Sequence, residues 1–559
     1  MKVKGIESVR RSVSGSWLLV SGSFLAETDS HPRTTRNQKR GTRNFLIIGL
    51  FVALALAPLA LADVKDPKDQ NTKEQTHRNA RKALRKGAFE QAANLYNDLI
   101  TRDAQDIQAQ LGASFAYMKM QSYGFCFDYA STALKLDMNN ARAHALAGAA
   151  LLHSGFLQAA VPELTEALRL DSKEALAYGN AAELDYFEGR INEARAKSIY
   201  AIRLDSDEPD YLMTYARASS RAEDYKEAAD AYELFLQIAP LSDSDRRDRI
   251  QGLIRFYRRL AGLQVHQVGG PQMSEVAFRL GSDRRPYIRV KVNGRDALFV
   301  IDTGSGFTVI SKEAAKRLGV SEIARGGKSQ GIGGDGKFPI VYGLINSLQL
   351  NEVKVRIVPC FIRPFHGMED RPLDEHADGF IGLSILSRFI AALDYQQGRL
   401  ILDRNTDRPV PVVALPDVTT IPFRMTQNGL ISIETAFDGS IPVNVILDSG
   451  ASSTAISMAA VERLKMRDRI IQGQHASVIG AAGIAENVEL LFLRNCRVAD
   501  LRQNNLRALV LDFEAINETS GFEQSGLLGG DFLRHFRVTL DFPHAQVRFQ
   551  PHTSAVTKQ

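Results

Sequence analysis

The spacing of apolar and small side chains between Lys73 and Ser242 repeats every 34 residues. This stretch is rich in Ala, Leu and Tyr and almost free of Pro, which favours helices. The successive blocks begin at Lys73, Ile107, Ala141, Ala175 and Pro209. The twentieth residue of the blocks is Ala92, Cys126, Ala160, Ala194 and Ala228. The twenty-seventh is Leu99, Ala133, Ala167, Ala201 and Phe235. The pattern predicts five helical hairpins stacked into a solenoid.

A small side chain at the twentieth position lets the second helix of each hairpin approach the first closely. The segment resembles tetratricopeptide repeats, although the tryptophan usual in their first helix is missing from every block. Residues 243–264 predict a polar-faced capping helix, which the end of a solenoid needs for solubility. The resemblance implies a concave groove that binds a protein or peptide partner. The alternative is that the repeats are a spacer or a packing partner for the rest of the chain.

After Val265 the pattern changes to short β-rich runs separated by Gly. Residues 296–311 (DALFVIDTGSGFTVIS) and 442–457 (PVNVILDSGASSTAIS) share a strand, an Asp-Thr/Ser-Gly turn and a second apolar run, at an offset of 146. Residues 379–394 and 526–541 repeat a second motif at an offset of 147. Two motifs at nearly one offset indicate a duplicated lobe.

These duplicated motifs resemble retropepsin-type aspartic proteases. The resemblance rests on these turns and on the two apolar residues and Gly that follow each turn downstream. It covers Val276–Arg404 and Thr419–Pro551. It implies an all-β, two-lobed pepsin/retropepsin-like fold in which the lobes face each other across a twofold axis. Each lobe would then contribute one catalytic aspartate, Asp302 from the first and Asp448 from the second.

Two carboxylates held about 3 Å apart cannot both ionise, so such a pair shares one proton and supplies an acid and a base together; pepsin is the known example. The resemblance implies that Thr303 and Ser449 lock the two turns through hydrogen bonds across the interface. Gly304 and Gly450 are expected to give a backbone tight enough to aim amide N–H groups at the carboxylates.

The residues that follow the two turns differ. Ser305 is expected to donate its hydroxyl to Asp302, and Ala451 offers no hydroxyl to Asp448. This asymmetry predicts that the shared charge favours Asp302. Ser384 and Asp531 are expected to be N-caps of short apolar helices.

Two Gly-rich segments follow the aspartates by 29 and 32 residues. They contain Gly331, Gly333 and Gly334 in the first lobe, and Gly480 and Gly483 in the second. They are either the tips of flaps that close over a substrate or ordinary hairpin turns.

Residues 1–62 read as a leader. Seventeen uncharged residues, from Leu46 to Ala62, follow a basic stretch and end in Ala60-Leu61-Ala62, the small residues that a signal peptidase accepts. The pattern predicts export with cleavage, and therefore a periplasmic protein with no membrane segment after cleavage. The alternative is an uncleaved leader that tethers the protein to the membrane.

The net charge of +5 over 559 residues is concentrated in residues 1–44, which hold nine Lys or Arg and three acids. The remaining chain is nearly neutral, so the charge does not indicate a nucleic-acid partner. Cys126, Cys360 and Cys496 show no metal-ligand spacing and are expected to be buried. No metal and no cofactor are predicted.

The predicted organisation is a leader, a solenoid and two protease lobes. In residue numbers it is leader 1–62, linker 63–72, repeats with capping helix 73–264, linker 265–275, first lobe 276–404, linker 405–418, second lobe 419–552 and tail 553–559. The predicted function is an exported aspartic endopeptidase that cleaves a protein or peptide substrate recruited by the repeats. The alternative is a non-catalytic adaptor that binds a peptide between protease-like lobes. Either a monomer or a homodimer fits, since the lobes could pair within one chain or across two.

Overall fold

The computed structural model describes residues 67–241, 244–329, 331, 337–366, 375–404 and 417–552. Several predicted features lie outside these residues. They are the leader 1–62, most of the linker 405–418, the tail 553–559, and Gly333 and Gly334 of the first Gly-rich segment.

Eleven helices precede the β-rich region in the described part of the chain. They are α1 Pro67–Arg85, α2 Phe89–Arg102, α3 Ile107–Lys119, α4 Tyr123–Leu136, α5 Ala141–His153, α6 Leu157–Leu170, α7 Ala175–Phe187, α8 Ile191–Leu204, α9 Pro209–Arg221, α10 Tyr225–Ile238 and α11 Ser244–Leu260. Four of them (α3, α5, α7 and α9) begin at the predicted first residue of a block. The helical solenoid is therefore confirmed, and α1 starts six residues before its predicted block.

The packing columns predicted from the repeat are buried. At the twentieth position Ala92, Cys126, Ala160, Ala194 and Ala228 all have 0% exposure. Residues just before the first helices fix the starts of the hairpins: the side chain of Asp106 accepts a hydrogen bond from the Ala109 N–H (3.0 Å), and Asn140 does the same for Ala143 (3.0 Å). The 34-residue period thus reflects two features of the hairpins: a small residue where the two helices pack closely, and an N-capping residue before the first helix.

The first lobe is built mainly from strands. They are β1 Gln267–Gly269, β2 Met273–Leu280, β3 Pro286–Val292, β4 Arg295–Ile301, β5 Thr308–Ser311, β6 Ser321–Ser329, β7 Phe338–Leu350, β8 Val353–Arg363, β9 Gly379–Ile381, β10 Ile390–Asp394 and β11 Arg399–Asp403. Two short helices join them, α12 Lys312–Arg317 and α13 Leu383–Leu386. Alternate residues of the outer strands are exposed, as in β2, while β5 and β9 are buried throughout.

The second lobe repeats this arrangement. Its strands are β12 Thr419–Pro422, β13 Arg424–Met425, β14 Ile431–Phe437, β15 Val443–Leu447, β16 Ala455–Ser457, β17 Ile470–Gly480, β18 Gly483–Val498, β19 Leu501–Leu511, β20 Gly526–Leu528, β21 Phe536–Asp541 and β22 Gln546–Pro551. Its helices are α14 Met458–Arg463, α15 Glu514–Ser520 and α16 Gly530–Leu533. Strand β4 pairs in parallel with β9, and β15 pairs in parallel with β20, so corresponding strands carry the two aspartate turns.

One sheet joins the two lobes within this chain. Its strand order runs β12-β22-β21-β10-β11-β2 before continuing into the first lobe, and β10 and β21 are antiparallel neighbours at the centre. Each half of this segment contains an N-terminal strand and the terminal hairpin of one lobe, β2 with β10 and β11 in the first lobe and β12 with β21 and β22 in the second. The lobes therefore pair about an approximate twofold axis at the β10–β21 contact. The sequence alone did not decide whether the lobes pair within one chain or across two chains, and in this structure they pair within one.

The solenoid packs directly on the lobes. His153 of α5 donates a hydrogen bond to the Gly521 carbonyl (2.6 Å), and the Glu523 N–H donates to the His153 carbonyl (2.9 Å). Phe256 of α11 stacks on Tyr342 of β7, with 4.2 Å between ring centroids. The repeats thus contact both lobes through backbone hydrogen bonds and buried aromatic rings. None of the helices in the described residues is long and apolar enough to cross a membrane.

Candidate active site

The two aspartates follow equivalent strands. Asp302 comes directly after β4, and its N–H donates to the Ile381 carbonyl of β9 (3.0 Å). Asp448 comes directly after β15, and its N–H donates to the Leu528 carbonyl of β20 (3.0 Å). Both turns are therefore anchored by hydrogen bonds to the neighbouring strands, β9 for Asp302 and β20 for Asp448, at the contact between the lobes.

Thr303 and Ser449 lock the two turns together. The Thr303 N–H donates to the Ser449 hydroxyl (3.0 Å), and the Ser449 N–H donates to the Thr303 hydroxyl (2.9 Å). Each hydroxyl in turn donates to the opposite strand, Thr303 to the Leu447 carbonyl (2.6 Å) and Ser449 to the Ile301 carbonyl (2.8 Å). The geometry agrees with the expected role of these two residues.

Backbone amides point at both carboxylates. The Gly304 N–H donates to Asp302 Oδ1 (2.9 Å), and the Gly450 N–H donates to Asp448 Oδ1 (2.8 Å). Asp448 Oδ1 also accepts from the Ala451 N–H (3.0 Å). In the described part of the chain, Asp448 therefore accepts two amide hydrogen bonds at this turn, whereas Asp302 accepts one.

The two carboxyl groups contact each other, and their pKa values differ from that of an isolated aspartate. Burial raises the pKa of Asp302 to about 8, and the negative charge of Asp448 adds to this increase. Burial also raises the pKa of Asp448, against the amide hydrogen bonds from Gly450 and Ala451, which lower it. Both pKa values are therefore raised, and the additional amide hydrogen bond stabilises ionised Asp448 over ionised Asp302, so that a proton on the pair favours Asp302.

The expectation for Ser305 is wrong. Its hydroxyl donates to the Phe307 carbonyl (2.8 Å), so it stabilises its own loop and does not donate to Asp302. The backbone provides the opposite asymmetry, because Ala451 contributes an amide N–H to Asp448. Ala451 has no hydroxyl, but its amide N–H stabilises the ionised form of Asp448. The negative charge of the pair therefore favours Asp448, whereas the sequence predicted that it favours Asp302.

Ser384 and Asp531 also differ from expectation. The first residues before the short helices α13 and α16 are Gly382 and Gly529, so neither Ser384 nor Asp531 is an N-cap. Instead, the Ser384 hydroxyl accepts from the Thr308 N–H (3.2 Å), and Asp531 accepts from the N–H and the hydroxyl of Thr454 (2.9 and 2.7 Å). These side chains fix the strand that follows each aspartate turn.

A cavity of about 1550 Å³ contains the two aspartates. Both lobes line it, and so do helices of the solenoid, including Glu183 and Tyr186 of α7 and Arg217 and Arg221 of α9. The inner face of the repeats therefore borders the cavity in which the carboxylates lie.

Gly331 of the first Gly-rich segment and the tip of the second meet at this cavity. Gly480 pairs with Gly483 at the end of the β17–β18 hairpin, and the turn between them contains Ala481. A β-carbon on Gly331 would lie 2.7 Å from the β-carbon of Ala481, so Gly331 packs closely against the tip of the second segment. Gly331, Gly480 and Ala481 line the cavity, which is consistent with the expected flap tips as well as with a hairpin turn.

Arg363 is a cavity residue that the sequence did not single out. It is the last residue of β8, and its guanidinium donates to the Ala481 carbonyl (2.9 Å). Its positive charge also lowers the pKa of Asp302. In the sequence this arginine ends an apolar run like any strand-terminating charge, so only the fold shows that it lies near the aspartates.

Two tandem segments of this chain match the aspartyl protease family, residues 288–385 and 433–532. Together with the paired Asp-Thr/Ser-Gly turns, this defines the class: retropepsin-like aspartyl protease lobes preceded by tetratricopeptide-like repeats. Within that class, the lobes are similar to DNA damage-inducible protein 1. The identity is 24% over 163 residues with the protein of Chaetomium globosum, covering 29% of this chain and 33% of that protein. It is 28% over 117 residues with the protein of Saccharomyces cerevisiae, covering 20% and 24%.

The chain thus spans a third or less of the length of these two relatives. Among solved structures, the repeats are similar to a thermophilic TPR protein of Thermus thermophilus, with 19% identity, coverage of 33% of this chain and 98% of that chain, and a TM-score of 0.29. A structure of MamA protein matches with 20% identity, coverage of 30% and 92%, and a TM-score of 0.22.

Proposed function

We propose that this protein is an aspartic endopeptidase in which Asp302 and Asp448 activate a water molecule for hydrolysis of a peptide bond. The observation that carries the proposal is the close approach of two carboxyl groups, one from each lobe, whose pKa values are both raised. The match of two tandem segments to the aspartyl protease family supports protease chemistry, and the intact pair of aspartates would supply the acid and the base.

In the first step, ionised Asp448 takes a proton from water while the water oxygen attacks the carbonyl carbon of the substrate. Asp302 gives its proton to the carbonyl oxygen, which produces a neutral gem-diol. In the second step, Asp448 returns a proton to the amide nitrogen, Asp302 takes one from a gem-diol hydroxyl, and the C–N bond breaks. The products are a carboxylic acid and an amine, and the pair regains its original protonation.

The substrate we propose is a peptide segment in an extended conformation. The cavity lies between the lobes, with the β17–β18 hairpin tip on one side and the paired turns on the other. A segment lying here can pass both carboxylates and hydrogen-bond to hairpin edges. The Gly-rich tips are proposed to act as flaps that move to admit it.

The repeats are proposed to bind the part of a protein substrate that extends beyond the lobes. Support comes from the inner face of α7 and α9, which lines the same cavity as the aspartates. Aromatic and charged groups both lie on this face; the Arg221 guanidinium is 4.1 Å from the centroid of the Tyr186 ring, and both side chains also hydrogen-bond the second lobe. The partner is therefore expected to be a protein or peptide.

Digestion of a random peptide library by the purified protein tests the proposal, with Asp302→Asn as the matched control because it keeps the shape and removes the titrating group. We expect cleavage at defined bonds by the wild type and none by the variant. Peptide binding without cleavage by the wild type would instead support the adaptor function.

Export to the periplasm is proposed from the leader pattern in residues 46–62 alone. Cell fractionation with N-terminal sequencing tests it. A mature N-terminus at Asp63 in the periplasmic fraction would support cleavage, and an intact leader in the membrane fraction would support the tethered alternative.

A further inference from the structure

The guanidinium of Arg363 shares the cavity of the two aspartates. Its position is set by β8, which pairs in parallel with β5 so that Arg363 lies opposite Ser311. Strand β5 in turn pairs with β9, the neighbour of the strand that carries Asp302. The arginine is therefore placed by the same buried strands that place the active-site turn.

Aromatic rings surround this charge, and the neighbouring Asp302 acts on it only through space, without a hydrogen bond among the described residues. The guanidinium carbon lies 5.7, 5.6 and 5.8 Å from the ring centroids of Phe338, Phe365 and Phe380. A guanidinium has five N–H donors, and among the described residues the hydrogen bond to the Ala481 carbonyl is its one hydrogen bond. No ion pair to Arg363 forms in that part of the chain.

Arg285 provides the contrast. It lines the same cavity, but its guanidinium binds the Asp283 carboxylate (2.6 Å) and the Tyr287 hydroxyl (3.1 Å). A largely buried charge is costly to leave without a partner, and the shared proton leaves Asp302 neutral for much of the time. Arg363 thus lies beside the aspartates with donors that have no partner among the described residues and that a ligand can use.

We propose that Arg363 is a specificity-determining residue that binds a carboxylate of the peptide substrate. A planar guanidinium matches a carboxylate through two parallel hydrogen bonds, and the aromatic rings restrict its orientation. The carboxylate belongs either to an Asp or Glu side chain close to the cleaved bond or to the C-terminus of the peptide. This inference rests on the proposed peptidase function, since it assigns the substrate class of that site.

The test compares matched peptides built on one sequence that the library identifies as cleaved. One series places Glu or Gln at each position near the cleaved bond, with the C-terminus amidated. A second series keeps neutral side chains and carries either a free or an amidated C-terminus. In one of these comparisons, we expect the peptide with the carboxylate to have a kcat/KM about 10- to 100-fold higher at neutral pH than its neutral counterpart. This is the range expected for a charge-assisted hydrogen bond.

Two variants and a control assign that preference to Arg363. Arg363→Gln should abolish the preference while still cleaving the neutral peptide, and Arg363→Lys should keep part of it because the charge remains without the paired donors. Arg388→Gln is the control, because this cavity arginine already pairs with Glu223 and should leave the preference unchanged. A wild type without preference, or a preference that survives Arg363→Gln, would overturn the proposal.

Failure of the proposed function gives a different result. If the wild type cleaves no peptide, the binding affinity of the same Glu and Gln peptides decides the question by fluorescence anisotropy. Tighter binding of a carboxylate peptide that Arg363→Gln removes would still support the subsite, and equal binding would overturn it.

Discussion

The carboxylate of Asp448 occupies the space that a β-carbon on Gly304 would need. Such a β-carbon would lie 2.3 Å from Cγ and 2.4 Å from each carboxylate oxygen of Asp448. Gly450 has the same relationship to Asp302, with 2.4 Å to Oδ1. Each aspartate therefore packs on the turn of the opposite lobe, and the glycines are required by this close approach as well as by their amide hydrogen bonds.

Gly304→Ala should accordingly force the two carboxyl groups apart. A displacement of about 1 Å in a reacting group can reduce the rate about 10²-fold, so we expect a loss of at least that size in kcat/KM. Gly269→Ala is the matched control, because its nearest neighbour would be the Lys354 carbonyl oxygen at an ordinary 3.8 Å. Full activity in Gly304→Ala would contradict the contact between the lobes.

Replacing either aspartate should remove hydrolysis. Neither carboxyl group alone supplies both acid and base, so Asp302→Asn and Asp448→Asn should each lower kcat by about 10²- to 10⁴-fold or more, and the double variant should be no worse. Steady-state kinetics on one library peptide measures all three. Substantial turnover by either single variant would eliminate the pair as the catalytic unit.

The repeat and the duplicated turns could be predicted from the sequence because both depend on local spacing. Helices that begin at Ile107 and Ala141 follow from the 34-residue period, and the Asp-Thr/Ser-Gly turns follow from short motifs flanked by apolar strands. The contact between His153 and Gly521 joins residues 368 positions apart and has no periodic signal. The hydrogen-bond partner of the Ser305 hydroxyl could not be predicted from the sequence either, because the backbone carbonyl of Phe307, two residues away, competes with Asp302 for this donor.

The dependence of activity on pH follows from the raised pKa of Asp302. Since this pKa is about 8, the pair keeps its single proton at neutral pH and loses it above that value. We therefore expect kcat/KM to be maintained near neutrality and to fall as the pH rises through about 8, because no acid then remains. A profile confined to strongly acidic pH would contradict the proton assignment.

The same raised pKa predicts an effect on stability. The folded state binds the Asp302 proton more tightly than the unfolded state does, so its stability falls as the pH rises from near 4 towards 8. Asp302→Asn removes this loss. The Tm of the variant minus the Tm of the wild type should therefore be larger at pH 8 than at pH 4. Calorimetry at the two pH values measures the difference, and equal Tm differences would contradict it.

Ser305→Ala tests whether the Ser305 hydroxyl binds the Phe307 carbonyl, as in the structure, or Asp302, as the sequence predicted. Because the hydroxyl donates to the Phe307 carbonyl, its removal should leave the acidic limb of the kcat/KM profile unmoved and affect mainly the stability of the loop, by about 1 kcal/mol. The profile of the variant on a single peptide is the measurement. A shift of the acidic limb to higher pH would restore the hydrogen bond to Asp302 that the sequence suggested.

The stacking of Phe256 on Tyr342 makes the solenoid part of the folded protease. Both rings are almost fully buried, with 1% and 2% exposure. Phe256→Ala should therefore lower the free energy of unfolding by about 3–5 kcal/mol, the usual cost of truncating a buried phenylalanine. Leu234→Ala is the control within the repeats, because that side chain is 49% exposed and should change stability little.

This contact also predicts how the lobes behave alone. A fragment that begins at Gly269 would expose Tyr342, together with Phe522, which packs against Phe187 at 4.9 Å between centroids. An apolar surface of this kind promotes association, so the fragment should aggregate or lose peptide cleavage. Size-exclusion chromatography and a short-peptide assay on the fragment provide the readout. A monomeric fragment with undiminished activity would show that the repeats serve only to recruit a substrate, and the solenoid would then have no part in supporting the site.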